Sequence, residues 1–463
     1  MKLVILGGGG FRTPYVWQAL IRDQGSPRVT EVALYDVDDA RLATITTILG
    51  QLAEGFADVP TLSTHTHLES ALEGADFVFA AVRVGGVEQR CCDEHVALDL
   101  NVLGQETTGP GGIAYALRTL PVMLDIAETV RRVAPDAYFL NFTNPAGIIT
   151  EALQGVLGDR ALGICDTPSG LGRRVAGVLG YDHTRIQMDY VGLNHLGWMR
   201  RVLVDGVDVL PGLLDDDRRL ARMEEAQVFG ADWIRTLGVI PNEYLYYYYF
   251  NRDAVRHILE SPQTRGDFLL ETQGHFFAEA AAEPDLAAKL WTGAVDERGA
   301  SYMAEAKGGV QGAPATERDR ETDPAHLGYA GVALGVMTAI SRDERRTMIL
   351  NVRNRGTIAG LPADAVVEVP AMVDANGVHP LTLDAQPDLH QLGLMQQVKA
   401  VERHAIAAAR TGSTAEALKA FALHPLVDSV TVARDLLTGY LAANPDLARV
   451  LTAGSAHRFE DRG

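Results

Sequence analysis

Residues 2–36 read KLVILGGGGFRTPYVWQALIRDQGSPRVTEVALYD, and this stretch decides the fold. The apolar run Lys2 to Leu6 is too short for a core helix and reads as a buried strand. Gly7-Gly8-Gly9-Gly10 follows directly, and a helix is expected to start near Thr13-Pro14, with threonine as N-cap and proline at the first helical position. Glycines at such a turn let the backbone approach a pyrophosphate, which the helix N-terminus then receives. The third glycine of G-x-G-x-x-G is missing, so the weight falls on context. The second strand, Glu31 to Tyr35, ends at Asp36, whose carboxylate can accept hydrogen bonds from both hydroxyls of an adenosine ribose and would repel a 2′-phosphate. Gly7, Gly8, Gly9, Gly10 and Asp36 are therefore expected to bind NAD rather than NADP. The bland alternative is a tight glycine turn beside a solvated aspartate.

The same alternation of short apolar run, turn and helical pattern continues through Phe77 to Val82, Tyr138 to Asn141 and Ala161 to Ile164, which argues for parallel βαβ units. Asp36, Arg83, Asn144 and Cys165 lie at or just beyond strand C-termini, where doubly wound sheets bind ligands. Near Asp189 the pattern changes. Val202 to Val209 reads as a hairpin around Asp205-Gly206, Asp215 to Leu237 as a helix, Thr347 to Val352 and Ala365 to Val373 as strands, and Leu392 to Arg410 and Thr414 to Ala443 as helical. Gly299 to Glu321, rich in Gly, Ala and charge, reads as a mobile loop. The expected class is α/β: a doubly wound, Rossmann-type parallel sheet over residues 1–189, then a mixed α+β domain over 190–463 for substrate binding and oligomerisation.

With 463 residues the chain can bury a large core. Its 41 basic against 60 acidic residues leave a net charge of −19, which disfavours nucleic acid and anionic lipid, so an anionic ligand must be held by a few local arginines. Cys91, Cys92 and Cys165 are too few and badly spaced for a disulfide framework and fit reduced thiols. The N-terminal apolar run stops at Gly7, too short for an export signal, and no later stretch is long enough to span a membrane.

Cys165-Asp166-Thr167-Pro168 sits at a strand end, and Gly192-Leu193-Asn194-His195 begins the next region. A thiolate and an imidazole converging there could hold a divalent metal, although a lone Cys or His is more often a core or surface residue. Taken with Val82-Arg83-Val84-Gly85-Gly86, Gly104-Gln105-Glu106-Thr107-Thr108-Gly109-Pro110-Gly111-Gly112, Asn141-Phe142-Thr143-Asn144-Pro145-Ala146 and Ile240-Pro241-Asn242-Glu243-Tyr244-Leu245, these motifs closely resemble glycoside hydrolase family 4, most nearly its 6-phospho-β-glucosidases. The likeness covers nearly the whole chain. Members of this family are exceptions to two-carboxylate glycosidase chemistry.

The resemblance implies net hydrolysis by oxidation, elimination, hydration and reduction. NAD+ takes a hydride from carbon 3 of the sugar, a base removes the acidified proton on carbon 2, the aglycone leaves carbon 1, water adds, and the hydride returns. It implies Mn2+ or another divalent metal on Cys165 and His195, Tyr244 as base, Glu106 increasing that tyrosine's basicity, and Asp166 as proton donor to the leaving oxygen. Asp at this last position is commoner among the family's phospho-α-glucosidases, many β-specific members having Asn; its structural reading is an acid stabilising a helix N-terminus. Arg90, Asn144 and Arg265 match residues around the phosphosugar. Tyr246 to Tyr249 are assigned to packing and Arg83 is left without a role. Phosphorylating uptake implies a cytoplasmic site, and the family implies a homodimer or homotetramer. The rivals are a 6-phospho-α-glucosidase or other family 4 glycosidase, a lactate- or malate-type NAD dehydrogenase, which would use a His-Asp relay and no metal, and a non-catalytic NAD or sugar-phosphate sensor.

Overall fold

The computed structural model describes residues 1–300, 303, 306 and 328–451. The loop reading of Gly299 to Glu321 therefore lies almost wholly outside the described residues. Among them the strands are Lys2–Leu6 (β1), Glu31–Tyr35 (β2), Thr61–His65 (β3), Phe77–Ala80 (β4), Tyr138–Asn141 (β5), Ala161–Gly163 (β6), Ile186–Leu193 (β7), Leu196–Val204 (β8), Val207–Asp208 (β9), Ile240–Pro241 (β10), Arg346–Arg353 (β11), Val366–Asp374 (β12) and Gly377–Pro380 (β13). All join one sheet, in the order β10-β8-β7-β12-β11-β6-β5-β4-β1-β2-β3, with β13 on β12 and β9 on β8.

From β3 to β6 every pairing is parallel. This is the doubly wound order, with its switch point between β1 and β4. Strands β1, β4 and β6 are apolar and buried almost end to end because helices cover both faces. Beyond β6 the pairings turn antiparallel. The second half of the chain thus extends the first half's sheet, and residue 189 lies inside β7.

One row of register partners crosses this sheet: Gly197, Gly192, Glu368, Asn351, Gly163, Asn141, Ala80, Leu6, Tyr35 and His65. Gly7 and Asp36 come one residue after the row, Cys165 two, and Asn144 and His195 three. Residues far apart in sequence therefore reach one edge of the sheet.

Three local expectations change, and one strand, β3, is added. The helix at Thr13–Arg22 takes Arg12 as its N-cap with no side-chain cap bond; Thr13 is already helical, and its hydroxyl donates to Gly7 O at 3.4 Å. The edge strand β3 carries Thr, Ser and His rather than an apolar run. Asp215 to Leu237 is broken into Asp217–Leu220, Glu224–Phe229 and Ala231–Leu237: Met223 is extended at the first break, and Gly230 at φ +80° leaves helical space at the second. Thr414 to Ala443 divides into Thr414–Ala422 and Val430–Ala443 around Pro425, and Ser429 starts the second helix by accepting from Val432 N–H. The hairpin at Asp205-Gly206 has φ +50° and +81°, the pair of positive angles a tight hairpin turn demands. Among the described residues no helix is long and apolar enough to cross a membrane.

Candidate active site

The glycine turn after β1 is shaped by close approach. Gly7 at φ +81° and Gly8 both donate to Tyr35 O, at 3.0 and 2.8 Å. A Cβ on Gly7 would lie 2.7 Å from Ala81 O, on Gly8 2.7 Å from the Leu34 Cβ, and on Gly10 2.8 Å from Gly7 O. The Asp36 carboxylate lies against the same turn, accepting from Gly9 N–H at 3.0 Å and Asp38 N–H at 3.2 Å. A cavity of about 470 Å³ runs past Gly7, Gly10, Thr13 and Asp36 to Thr143 and Asn144. Gly7 and Gly10 of this side-chain-free turn line the space at the start of helix Thr13–Arg22, beside Asp36. The residues fit a dinucleotide.

A second cavity of about 270 Å³ lies beyond the carboxyl ends of β5 and β6 and collects every expected substrate, metal and catalytic residue: Arg90, Glu106, Asn144, Cys165, Asp166, His195, Tyr244 and Arg265. Arg12, Glu106, Phe142, Asn144 and Arg298 line both cavities.

His195 is held in the two-residue turn between β7 and β8 at φ +61°, a left-handed angle uncommon for a residue with a side chain. Its Nδ1 is 3.0 Å from the Thr107 hydroxyl, so that contact occupies one ring nitrogen and leaves Nε2 for another partner. Burial pulls its pKa down to about 4, keeping the imidazole neutral. The buried Cys165 thiol is pushed well above its ordinary value by burial, then by the charges of Glu368 and Asp166. A cation reverses that preference, because the thiolate is the ligand. Among the described residues no group of three or more His, Cys, Asp and Glu side chains converges on one point; Cys165 and His195 could give a divalent ion one thiolate and one imidazole ligand, its remaining positions then falling to water or substrate.

Glu106 accepts from Arg90 Nη1 at 2.7 Å and lies 2.8 Å from Arg83 Nη1. Burial would raise its pKa, but the two guanidinium groups outweigh it and hold the carboxyl well below the usual range. Arg90 also donates through Nε to Glu94 at 2.7 Å. It is buried, and its pKa nevertheless rises because Glu106, Glu94 and Tyr244 act against the desolvation. Arg265 opens helix Arg265–Ala282 and donates to Arg298 O at 3.0 Å. Asp166 sits at the N-cap position of helix Thr167–Leu179 without making a side-chain cap bond. Tyr247 also lines the cavity, whereas Tyr246 packs against Phe229 and Phe250, and the Tyr249 hydroxyl accepts from Trp198.

Sequence reasoning missed Arg12 and Arg298 on the shared wall, Arg83 as a partner of Glu106, and Thr107 behind His195. Arg12 carried a signal, since it stands between the glycine run and the helix start. Its guanidinium lies over the Phe142 and Tyr329 rings at 5.2 and 5.0 Å.

The fold and site define a doubly wound, dinucleotide-type sheet whose glycine-turn cavity shares a wall with a second cavity holding Cys165, His195 and Tyr244. The family model for family 4 glycosyl hydrolases matches residues 2–181 and that for the family's C-terminal domain matches residues 190–427. The chain belongs to glycosyl hydrolase family 4. It is 33% identical to a Bacillus subtilis protein described as a probable 6-phospho-beta-glucosidase, over 96% of both chains, and 30% identical to a maltose-6'-phosphate glucosidase of the same organism, over 96% of both. The solved 6-phospho-beta glucosidase of Thermotoga maritima with manganese, NAD+ and glucose-6-phosphate superposes with a TM-score of 0.80 at 28% identity, covering 96% of this chain and 99% of that one.

Proposed function

We propose that this chain hydrolyses 6-phospho-β-glucosides, such as phosphorylated cellobiose, to glucose 6-phosphate and the aglycone, with NAD and a divalent metal, Mn2+, as cofactors. The observation that carries this reading is the wall shared by the two cavities. Arg12, Glu106, Phe142 and Asn144 face both the glycine turn and the space around Cys165, His195 and Tyr244, so a nicotinamide entering from one side meets a sugar held on the other. Residues up to about 189 serve as the NAD-binding part and 190–463 as the substrate and oligomerisation part of a cytoplasmic homodimer or homotetramer.

Gly7 to Gly10 and Asp36 hold the dinucleotide, and Cys165 and His195 hold the cation. When bound, NAD+ supplies a reversible hydride acceptor for carbon 3, and the cation supplies Lewis acidity to the sugar oxygens. The work of the chain's own groups is proton handling and orientation. Tyr244 takes the carbon 2 proton as base, and Glu106, which is bound to Arg90 on the cavity wall, increases that tyrosine's basicity. Asp166 gives a proton to the departing glycosidic oxygen. Arg265 and Arg90 grip the phosphate, and Asn144 orients the sugar.

A second reading, 6-phospho-α-glucosidase, draws support from Asp166 and from the maltose-6'-phosphate glucosidase relative. Turnover of the α- and β-anomers of 4-nitrophenyl glucoside 6-phosphate, with NAD+, Mn2+ and a thiol reductant, decides between them. Release of nitrophenol from the β-anomer alone is expected, and release from the α-anomer alone would replace the first reading with the second. Accumulation of NADH without nitrophenol would return the chain to the dehydrogenase class.

A further inference from the structure

Glu368 stands in the middle of β12, fully buried, and does not line the cavity. A buried carboxylate is costly unless its oxygens are satisfied, and these are satisfied by residues from three different site elements. Oε1 accepts from Asn351 at 3.1 Å and Asn194 at 3.3 Å, and Oε2 accepts from the Tyr190 hydroxyl at 3.0 Å. That hydroxyl in turn accepts from Asn242 Nδ2 at 3.1 Å, and Asn242 Oδ1 accepts from Tyr244 N–H at 3.0 Å. Asn194 precedes His195 in its turn, Asn351 pairs with Gly163 two residues before Cys165, and Asn242 caps the short helix carrying Tyr244. Missing side chains make room for the network: a Cβ on Gly163 would lie 2.8 Å from the Asn351 Cβ, and one on Gly197 2.3 Å from the Tyr190 hydroxyl.

We propose that Glu368 is a positioning residue for the family 4 reaction, setting the His195 turn through Asn194 and the Tyr244 segment through Tyr190 and Asn242. The proposal rests on the roles given to His195 and Tyr244 above. A purely structural role is the weaker account of this arrangement, because a well-packed apolar residue at a buried site stabilises a fold at least as well as a carboxylate network. Such a residue could not orient the two arms.

The test compares Glu368→Gln, Tyr190→Phe, Asn194→Ala and the double variant Glu368→Gln/Tyr190→Phe. Each is assayed for turnover with NAD+ and Mn2+, for the carbon 2 deuterium isotope effect, and for Mn2+ affinity by titration without substrate. Tyr190→Phe is expected to lower kcat about 10-fold with KM and Mn2+ affinity unchanged and a larger isotope effect, since only the Tyr244 arm is cut. Asn194→Ala is expected to weaken Mn2+ binding about 10-fold, and Glu368→Gln to do both, within the 10- to 100-fold range seen when groups behind metal ligands are altered. The double variant should be no worse than Glu368→Gln alone. Folded Glu368→Gln and Tyr190→Phe proteins with unchanged kcat, isotope effect and Mn2+ affinity would overturn the proposal, as would losses that follow only the fraction of folded protein. If Glu368→Gln does not fold, Tyr190→Phe and Asn194→Ala decide. Wild-type enzyme without carbon 2 exchange would overturn the functional reading instead, and the Mn2+ affinities would still decide the positioning claim.

Discussion

The imidazole of His195 lies flat against the phenol ring of Tyr244, with ring centroids 3.8 Å apart and planes 8° from parallel. The proposed metal ligand and the proposed base are thus packed as one unit, and motion of either ring displaces the other. Tyr244→Phe keeps the stack and removes only the hydroxyl. We expect kcat to fall roughly 10²- to 10⁴-fold, the usual worth of a general base, with Mn2+ affinity within about twofold of wild type. A comparable loss of Mn2+ binding would make the phenol oxygen part of the metal site.

Cys165→Ser and His195→Ala should each abolish measurable Mn2+ binding by titration and turnover with it, while NAD+ still binds, because the glycine turn belongs to a separate cavity. Full activity of either variant in chelator-treated buffer contradicts the metal assignment.

The two arginines assigned to phosphate should behave differently. Arg265 bonds to a backbone carbonyl, so Arg265→Ala is expected to raise KM for the phosphorylated glucoside by at least about 10-fold and leave the weak turnover of an unphosphorylated analogue unchanged. Arg90 is bound to Glu94 and Glu106; Arg90→Ala takes the guanidinium from buried Glu94 and leaves half-buried Glu106 with Arg83, so it should lower kcat as well. Parallel kinetics on the two substrates separate these outcomes.

Much of this site was legible because strand ends carry chemistry in a doubly wound sheet. Asp36, Asn144 and Cys165 each follow an apolar run, and all face one of the two cavities. Glu368 was not legible: in Val366-Val367-Glu368-Val369 it reads as one acid in a strand, and its partners come from β7, β11 and the turn after β7. The edge strand β3 escaped because its residues are polar and partly exposed, leaving no apolar run to find. The breaks at Gly230 and Pro425 were visible as residues, but helical periodicity on either side masked them.

Stability should fall on acidification for an identifiable reason. His424 is buried, accepts from Leu426 N–H through Nδ1 at 3.1 Å, and burial lowers its pKa from 6.5 to about 3. Above pH 6.5 it is neutral folded and unfolded, so the full contribution is present. Below that the unfolded chain binds the proton first, and stability is lost progressively as pH falls toward 3. At pH 5 the loss amounts to about 2 kcal/mol from this group, at 1.36 kcal/mol per pKa unit. His424→Gln should flatten the decline in Tm between pH 7 and pH 5; an unchanged slope assigns the decline to other groups.

The most direct test of the mechanism is turnover in D2O, with carbon 2 of the released glucose 6-phosphate read by NMR. If Tyr244 removes the carbon 2 proton after oxidation at carbon 3, wild-type product carries solvent deuterium at carbon 2, turnover stops when NAD+ is stripped, and Tyr244→Phe suppresses the exchange. Product wholly protonated at carbon 2, or full activity without NAD+, would contradict the redox-elimination account and the roles assigned to Tyr244 and Asp36.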